Sequence, residues 1–203
     1  GPDGAPMEGF FGLLSDGTTA VVEMAAAAGL PLLEGRLDVE GATTYGVGEL
    51  LLAAAEAGAR KIILGLGGSA TNDGGCGCAA ALGVRFLDEA GKAFIPVGRT
   101  LERIARIDKT GLAPALAGVE IVTMCDIDNP LCGPNGAAAV FGPQKGADGP
   151  AVERLDRGLH HLAEGVRADL DAEILDLPGA GAAGGMGGGM AAFLGSRLQM
   201  GID

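Results

Sequence analysis

Between Lys61 and Leu82 an apolar run, KIILGL, passes through a loop crowded with glycine and into CGCAAAL, a small-residue stretch of helical character. The loop holds Gly65, Gly67, Gly68, Gly74 and Gly75, with Ser69, Thr71, Asn72 and Asp73 between them. This strand–loop–helix passage restricts the possible folds more than any other stretch. Glycine lets the backbone turn sharply and bring its N–H groups close to an anion. A helix start just beyond adds unpaired donors and a partial positive charge. Hydroxyls, an amide and one carboxylate in such a loop imply a polar ligand, with a phosphorylated one the natural candidate.

Glycine accounts for 38 of the 203 residues, far above the usual share of about 7%. It clusters between apolar segments without a repeat, which excludes collagen and low-complexity readings. The length suits one domain with a buried core. Aromatic residues make up only 3%, so that core should consist of Ala, Leu, Val and Ile. A net charge of −12 argues against a nucleic-acid surface, which needs a basic stripe. An acidic chain that binds anions must do so with local devices: backbone N–H groups, helix starts, a single cation or a metal ion. No apolar run reaches the roughly 18–20 residues of a membrane span. The opening Gly1-Pro2-Asp3 reads as a processed or excised start. Cys76, Cys78, Cys125 and Cys132 lack C-x2-C zinc spacing and read as reduced structural thiols, which places the chain in the cytoplasm.

MEGFFGLL, the SDGT turn and TAVVEMA read as a hairpin; VRFLD and KAFIPV read as another. VGELLLAAAEA is a helix that Thr43 or Thr44 can cap and Gly58 can end. ALAGVEIVTMCD leads through a turn or short helix into a buried strand. The stretch 126–149 is a long functional loop with three prolines. A helix starts near Pro150, with Leu155, Leu159, Leu162 and Val166 at helical spacing. PGAGAAGGMGGG is a second glycine loop feeding an apolar helix. The expected fold is therefore α/β, a mixed β-sheet flanked by helices with glycine-rich loops at strand ends. The alternative is a doubly wound, mostly parallel sheet.

Gly65-x-Gly67-x-x-Ala70 and Gly179-x-Gly181-x-x-Gly184 both match the dinucleotide fingerprint. Asp73 would repel a pyrophosphate at the first, and Pro178 disturbs the entry to the second. No Walker sequence occurs, and Gly67-Gly68-Ser69-Ala70-Thr71 misses the G-x-S-x-G elbow. His160 and His161 read as solvated residues on a charged helix. Asp126 and Asp128 follow a buried strand, where α/β sheets collect ligands. With Asp73 they could hold Mg²⁺; alternatively they are turn-forming residues before Pro130. Lys145, flanked by Gly142 and Gly146, suits a phosphate or carboxylate, or is a solvated loop cation. Glu23, at a strand end, either contacts a ligand or caps the small-residue run after it.

GLGGSATNDGGCG, CDIDNPLCGP, AVFGPQKGA and LPGAGAAGGMGGGMAAFLG, in this order, resemble the glycerate kinase type-1 family. VVEMAAAAGL and TTYGVGELL resemble it too. The resemblance implies ATP-dependent phosphorylation of D-glycerate, most often to 2-phosphoglycerate. It also implies a bilobal enzyme, of which residues 1–203 look like the inserted α/β domain. The flavodoxin-like partner domain looks absent, and a further strand would begin at residues 201–203. Matching site positions are Ser69, Thr71, Asn72 and Asp73, then Asp126, Asp128, Asn129 and Lys145, then Gly181, Gly184 and Gly185; the physical reading of the first loop adds Gly67, Gly68 and Gly74 as substrate- or phosphate-binding backbone.

On this reading the backbone from Gly67 to Gly75 cradles phosphate or the glycerate carboxylate. Asp73 is the base for the glycerate hydroxyl and holds Mg²⁺ with Asp126 or Asp128, and Lys145 neutralises transferring charge. A competing expectation is a non-catalytic anion-binding or dimerisation module, in which an interrupted domain pairs with a second copy. A third is a kinase for another small hydroxy acid.

Overall fold

The computed structural model describes residues 1–201. Its strands are β1 (Gly12–Leu13), β2 (Thr19–Glu23), β3 (Lys61–Gly65), β4 (Arg85–Leu87), β5 (Ala93–Phe94), β6 (Arg106–Asp108), β7 (Glu120–Cys125) and β8 (Arg197–Met200). The α-helices are α1 (Ala25–Ala28), α2 (Tyr45–Glu56), α3 (Cys76–Ala81), α4 (Ala137–Phe141), α5 (Gly149–Leu170) and α6 (Ala182–Leu194).

The larger sheet has the order β1-β2-β3-β7-β8, with β2, β3, β7 and β8 parallel and β1 antiparallel at the edge. The smaller sheet, β5-β4-β6, is antiparallel. Both expected hairpins form, as β1–β2 and β4–β5, and the fold is α/β with a mixed sheet. β8 has no counterpart among the expected elements. The strand expected at 201–203 falls largely on residues outside those described.

Parallel neighbours need a crossover. α2 supplies it between β2 and β3, while α3 and the smaller sheet lie between β3 and β7. Ala20, Val22, Ile62 and Leu64 are buried on one face of the sheet, and Val21, Ile63 and Gly65 are half-buried on the other. This alternation leaves one face less covered among the described residues; of the doubly wound alternative the mostly parallel pairing is present, but helices on both faces are not.

Thr44 stands at the start of α2 but its hydroxyl makes no capping bond. Gly58, at φ 99°, ends the helix in the left-handed conformation foreseen for it. Asp148 caps α5 by accepting from the Ala151 N–H at 2.8 Å. Leu155, Leu159, Leu162 and Val166 of α5 are all buried. The core departs from the aliphatic expectation in two ways. Phe86 and Phe193 meet edge-to-face in the buried cluster beneath α5, 5.6 Å between ring centroids. Met24, Met186 and Met190 are also fully buried.

Candidate active site

The carboxyl ends of β2, β3 and β7 open into a groove of about 1060 Å³. Pairing of Glu23 with Gly65, and of Gly65 with Met124, brings the three strand ends level. Val21, Ile63, Val122 and Met124 form the apolar floor; Glu23, Lys61, Ser69, Asp126, Gln144, Lys145 and Gln199 supply polar groups. Ligands of parallel sheets collect at this end. Gly67 and Gly68 line the groove and are exposed, and among the described residues beyond its chain neighbours no atom lies within 4 Å of where a Cβ would project from Gly67.

Lys145 closes a short 3-10 turn, Pro143–Lys145, that Gly146 leaves at φ 100°. Its side chain is not the solvated loop cation of the alternative reading, for the residue is 2% exposed. Nζ donates to Ser69 Oγ and to the Thr71 carbonyl, both at 2.7 Å. Burial pushes its pKa down to about 8, with the charge of Asp73 opposing the shift. An ammonium carries three donors, so one N–H remains beyond these two bonds. Ser69 Oγ accepts from the lysine and keeps its own hydrogen to donate. A cation and a hydroxyl donor therefore meet beside the open backbone of Gly67 and Gly68.

Asp73 is placed differently from its expected role. It is fully buried and does not line the groove. Its carboxylate accepts from Thr44 N and Thr44 Oγ1, both at 2.8 Å, from Gly75 N at 3.0 Å and from Gly77 N at 3.2 Å. Burial pushes its pKa up, and these bonds oppose the rise. A carboxylate so enclosed cannot reach a substrate hydroxyl, and the base assignment is corrected on that ground. Asp73 instead ties the glycine loop to the starts of α2 and α3. Thr44 Oγ1 extends the tie by accepting from Cys78 N at 2.8 Å.

The three-carboxylate Mg²⁺ site does not form either. Among the described residues no three His, Cys, Asp or Glu side chains converge to hold a metal ion. Asp126 lines the groove, but Asp128 does not and Asp73 is sealed behind the loop.

Ala182 and Ala183 of the second glycine loop line the groove, but Gly181, Gly184 and Gly185 face the protein's own backbone and side chains, which corrects the ligand role of these three glycines. All three are buried. A Cβ at Gly181 would strike the Pro130 carbonyl, one at Gly184 the Thr71 carbonyl, and one at Gly185 the side chains of Leu159 and Leu131. Ala183, Gly184 and Gly185 form a left-handed turn at φ 55°, 69° and 90°. Through it Gly184 accepts from the Gly74 N–H at 3.0 Å, so one glycine loop seats the other. Gly74 itself is buried and points away from the groove against Leu162.

The model of the glycerate kinase family matches residues 1–203. The chain belongs to the glycerate kinase family. It is 48% identical over 206 residues to the glycerate kinase of Bacillus subtilis (strain 168), covering 100% of this chain and 53% of that protein. It is 47% identical over 204 residues to the glycerate 2-kinase of Escherichia coli (strain K12), covering 100% of this chain and 54% of the relative. A crystal structure described as glycerate kinase 2 from Salmonella typhimurium LT2 superposes with a TM-score of 0.96 at 46% identity, over 99% of this chain and 54% of that one. The chain thus spans about half the length of the curated relatives it matches.

Within this member of the glycerate kinase family the remaining expected positions separate by burial. Thr71 and Asn72 are fully buried, and Thr71 Oγ1, Asn72 Oδ1 and Asn72 Nδ2 have no partner among the described residues. Asn129 Nδ2 donates to the Asn135 carbonyl at 2.8 Å and braces its own loop. His160 is exposed beside Glu164, but His161 is half-buried, with Nε2 2.7 Å from the Ile104 carbonyl. Glu23 lines the groove, and α1 begins without a side-chain cap, so of its two expected roles ligand contact fits. Gln144 is a groove residue that sequence reasoning missed; its place beside Lys145 in FGPQKGA was the available signal. Thr44 was read only as a cap, and nothing local announces a partner 29 positions away.

Proposed function

We propose that this chain forms the glycine-loop wall of an ATP-dependent phosphotransferase that converts D-glycerate to 2-phosphoglycerate in the cytoplasm. The observation that carries the reading is Lys145, a buried ammonium held against Ser69 and Thr71 at the lip of the groove. Phosphoryl transfer depends on positioning and on neutralising the charge of the moving group. A fixed cation supplies that without reorganisation. Ser69 Oγ donates to the same anion, and the bare backbone at Gly67 and Gly68 lets it approach. The names of the B. subtilis and E. coli relatives support glycerate as substrate, and four unpaired cysteines accord with a reducing compartment. The less covered face of the sheet and the relatives' double length support a partner domain as the opposite wall.

A coupled ADP-release assay with D-glycerate tests this, on the 203-residue chain and on the chain joined to the other half of a relative. Turnover only in the joined form, with 2-phosphoglycerate as product, is the expected result. Turnover by the short chain overturns the need for a partner domain. Silence in both forms favours a non-catalytic anion-binding module.

A further inference from the structure

On the phosphotransferase reading, we infer that Glu23 is a catalytic residue, the carboxylate that takes the proton from the substrate hydroxyl as its oxygen attacks the γ-phosphorus. An alcohol acceptor needs such a group, and Asp73 is sealed away from it. Among the described residues two carboxylates line the groove, Glu23 and Asp126. Glu23 closes β2, where its pairing with Gly65 fixes its backbone; Asp126 lies in the loop beyond β7. Sites carried by strands are held more firmly than sites on loops.

The Glu23 side chain reaches across its neighbouring strand. A Cβ on Gly65 would lie 2.5 Å from Glu23 Oε2 and 2.9 Å from Oε1. The carboxylate therefore occupies the space that a side chain at 65 would take, where β3 turns into the glycine loop. This gives Gly65 a purpose that neither its φ nor a turn requires: it leaves room for the carboxylate. It also places an exposed acceptor two residues before Gly67, in the groove that Lys145 also lines.

A groove with a carboxylate and an ammonium suits a molecule that carries a hydroxyl and an anion. In the step, the substrate O–H bond breaks and its proton passes to Glu23. The freed oxygen bonds to the γ-phosphorus of ATP while the bond to the β,γ-bridging oxygen breaks. ADP leaves with that electron pair, and Glu23 returns its proton to solvent.

The test is steady-state ADP release with D-glycerate in the full-length enzyme, with thermal unfolding of each variant alongside. Glu23→Gln should lower kcat by about 10²–10⁴-fold and leave the KM for ATP within about threefold. Gly65→Ala displaces only the flexible end of Glu23, so it should keep the melting temperature and lower kcat by about tenfold or more. The double variant should be no slower than Glu23→Gln, because Gly65 acts through Glu23 alone. The assignment is overturned if Glu23→Gln retains kcat, if Asp126→Asn carries the loss instead, or if Gly65→Ala slows Glu23→Gln further. An unsubstituted enzyme that releases no ADP sinks the phosphotransferase reading and this assignment together. That result is distinct from turnover that survives Glu23→Gln.

Discussion

At Gly67 no atom of the described residues beyond its chain neighbours stands within 4 Å of where a Cβ would project, whereas at Gly184 the same atom would enter the Thr71 carbonyl and crowd Asn72 Cα. The two glycine loops share a G-x-G spacing and a composition of small residues, yet glycine serves access in one and close packing in the other. The division even runs inside the first loop. Gly67 and Gly68 are exposed in the groove, while every residue from Ala70 to Gly75 is buried. Four ties hold that buried part: Ala70 N–H to the Ala28 carbonyl, Lys145 to the Thr71 carbonyl, the donors gathered on Asp73, and the Gly184 carbonyl on Gly74 N–H. Glycine content therefore identifies a close approach, and the partner across the gap decides whether it is a ligand or the protein's own backbone.

Gly184→Ala should show the largest effect. It places a side chain at φ 69° and against backbone that cannot rotate away. We expect a loss of about 3 kcal/mol or more, read as a lower midpoint in urea unfolding. A variant with unchanged stability and lost phosphate binding would restore the second loop to the ligand site and erase the contrast.

Lys145→Met comes next and separates charge from packing. Methionine keeps an unbranched side chain without the ammonium, so turnover should fall by about 10²–10³-fold while the chain stays folded. Its pH dependence has two opposed limbs. The folded pKa of about 8 lies below the ordinary 10.5, so the unfolded chain holds this proton more tightly. Stability from this group rises between those values, by up to about 1.4 kcal/mol per pH unit, and is lost as pH falls through the folded pKa. Turnover should move the other way and decline as pH rises through about 8, because the charge that serves transfer disappears. Unfolding and turnover measured across the window in wild type and Lys145→Met should show both limbs only in wild type. Parallel loss of stability and turnover above the folded pKa would identify the ammonium as a structural brace.

Local patterns made much of the fold legible in the sequence. Apolar runs bounded by turn residues marked the strands, and the spacing of Leu155, Leu159, Leu162 and Val166 marked α5. Lys145 was legible as a lone cation between glycines. The buried destination of Asp73 was not, because its partner Thr44 lies 29 residues away and offers the same sequence signal as an ordinary helix cap. Gly184 resembled a phosphate loop for the same reason: its close neighbour, the Thr71 carbonyl, is distant in the chain. Phe86 and Phe193 were not legible because two rings in a chain with only 3% aromatic residues leave no compositional trace of the contact between them.

Gly67→Ala is the smallest change and the sharpest probe of the open half of the first loop. Beyond its chain neighbours the methyl group meets no atom of the described residues within 4 Å, and the residue is absent from the positive-φ glycines. Its stability should therefore stay within about 0.5 kcal/mol of wild type. A ligand anion drawn to Ser69 and Lys145 would meet that methyl where it now meets bare backbone. The KM for ATP or for D-glycerate should then rise by about three- to tenfold with little change in kcat, since approach is hindered and the charge at Lys145 is untouched. Which of the two KM values rises identifies which substrate the glycine backbone faces. If neither moves, the open half of the loop touches no ligand, and access is not what glycine provides there.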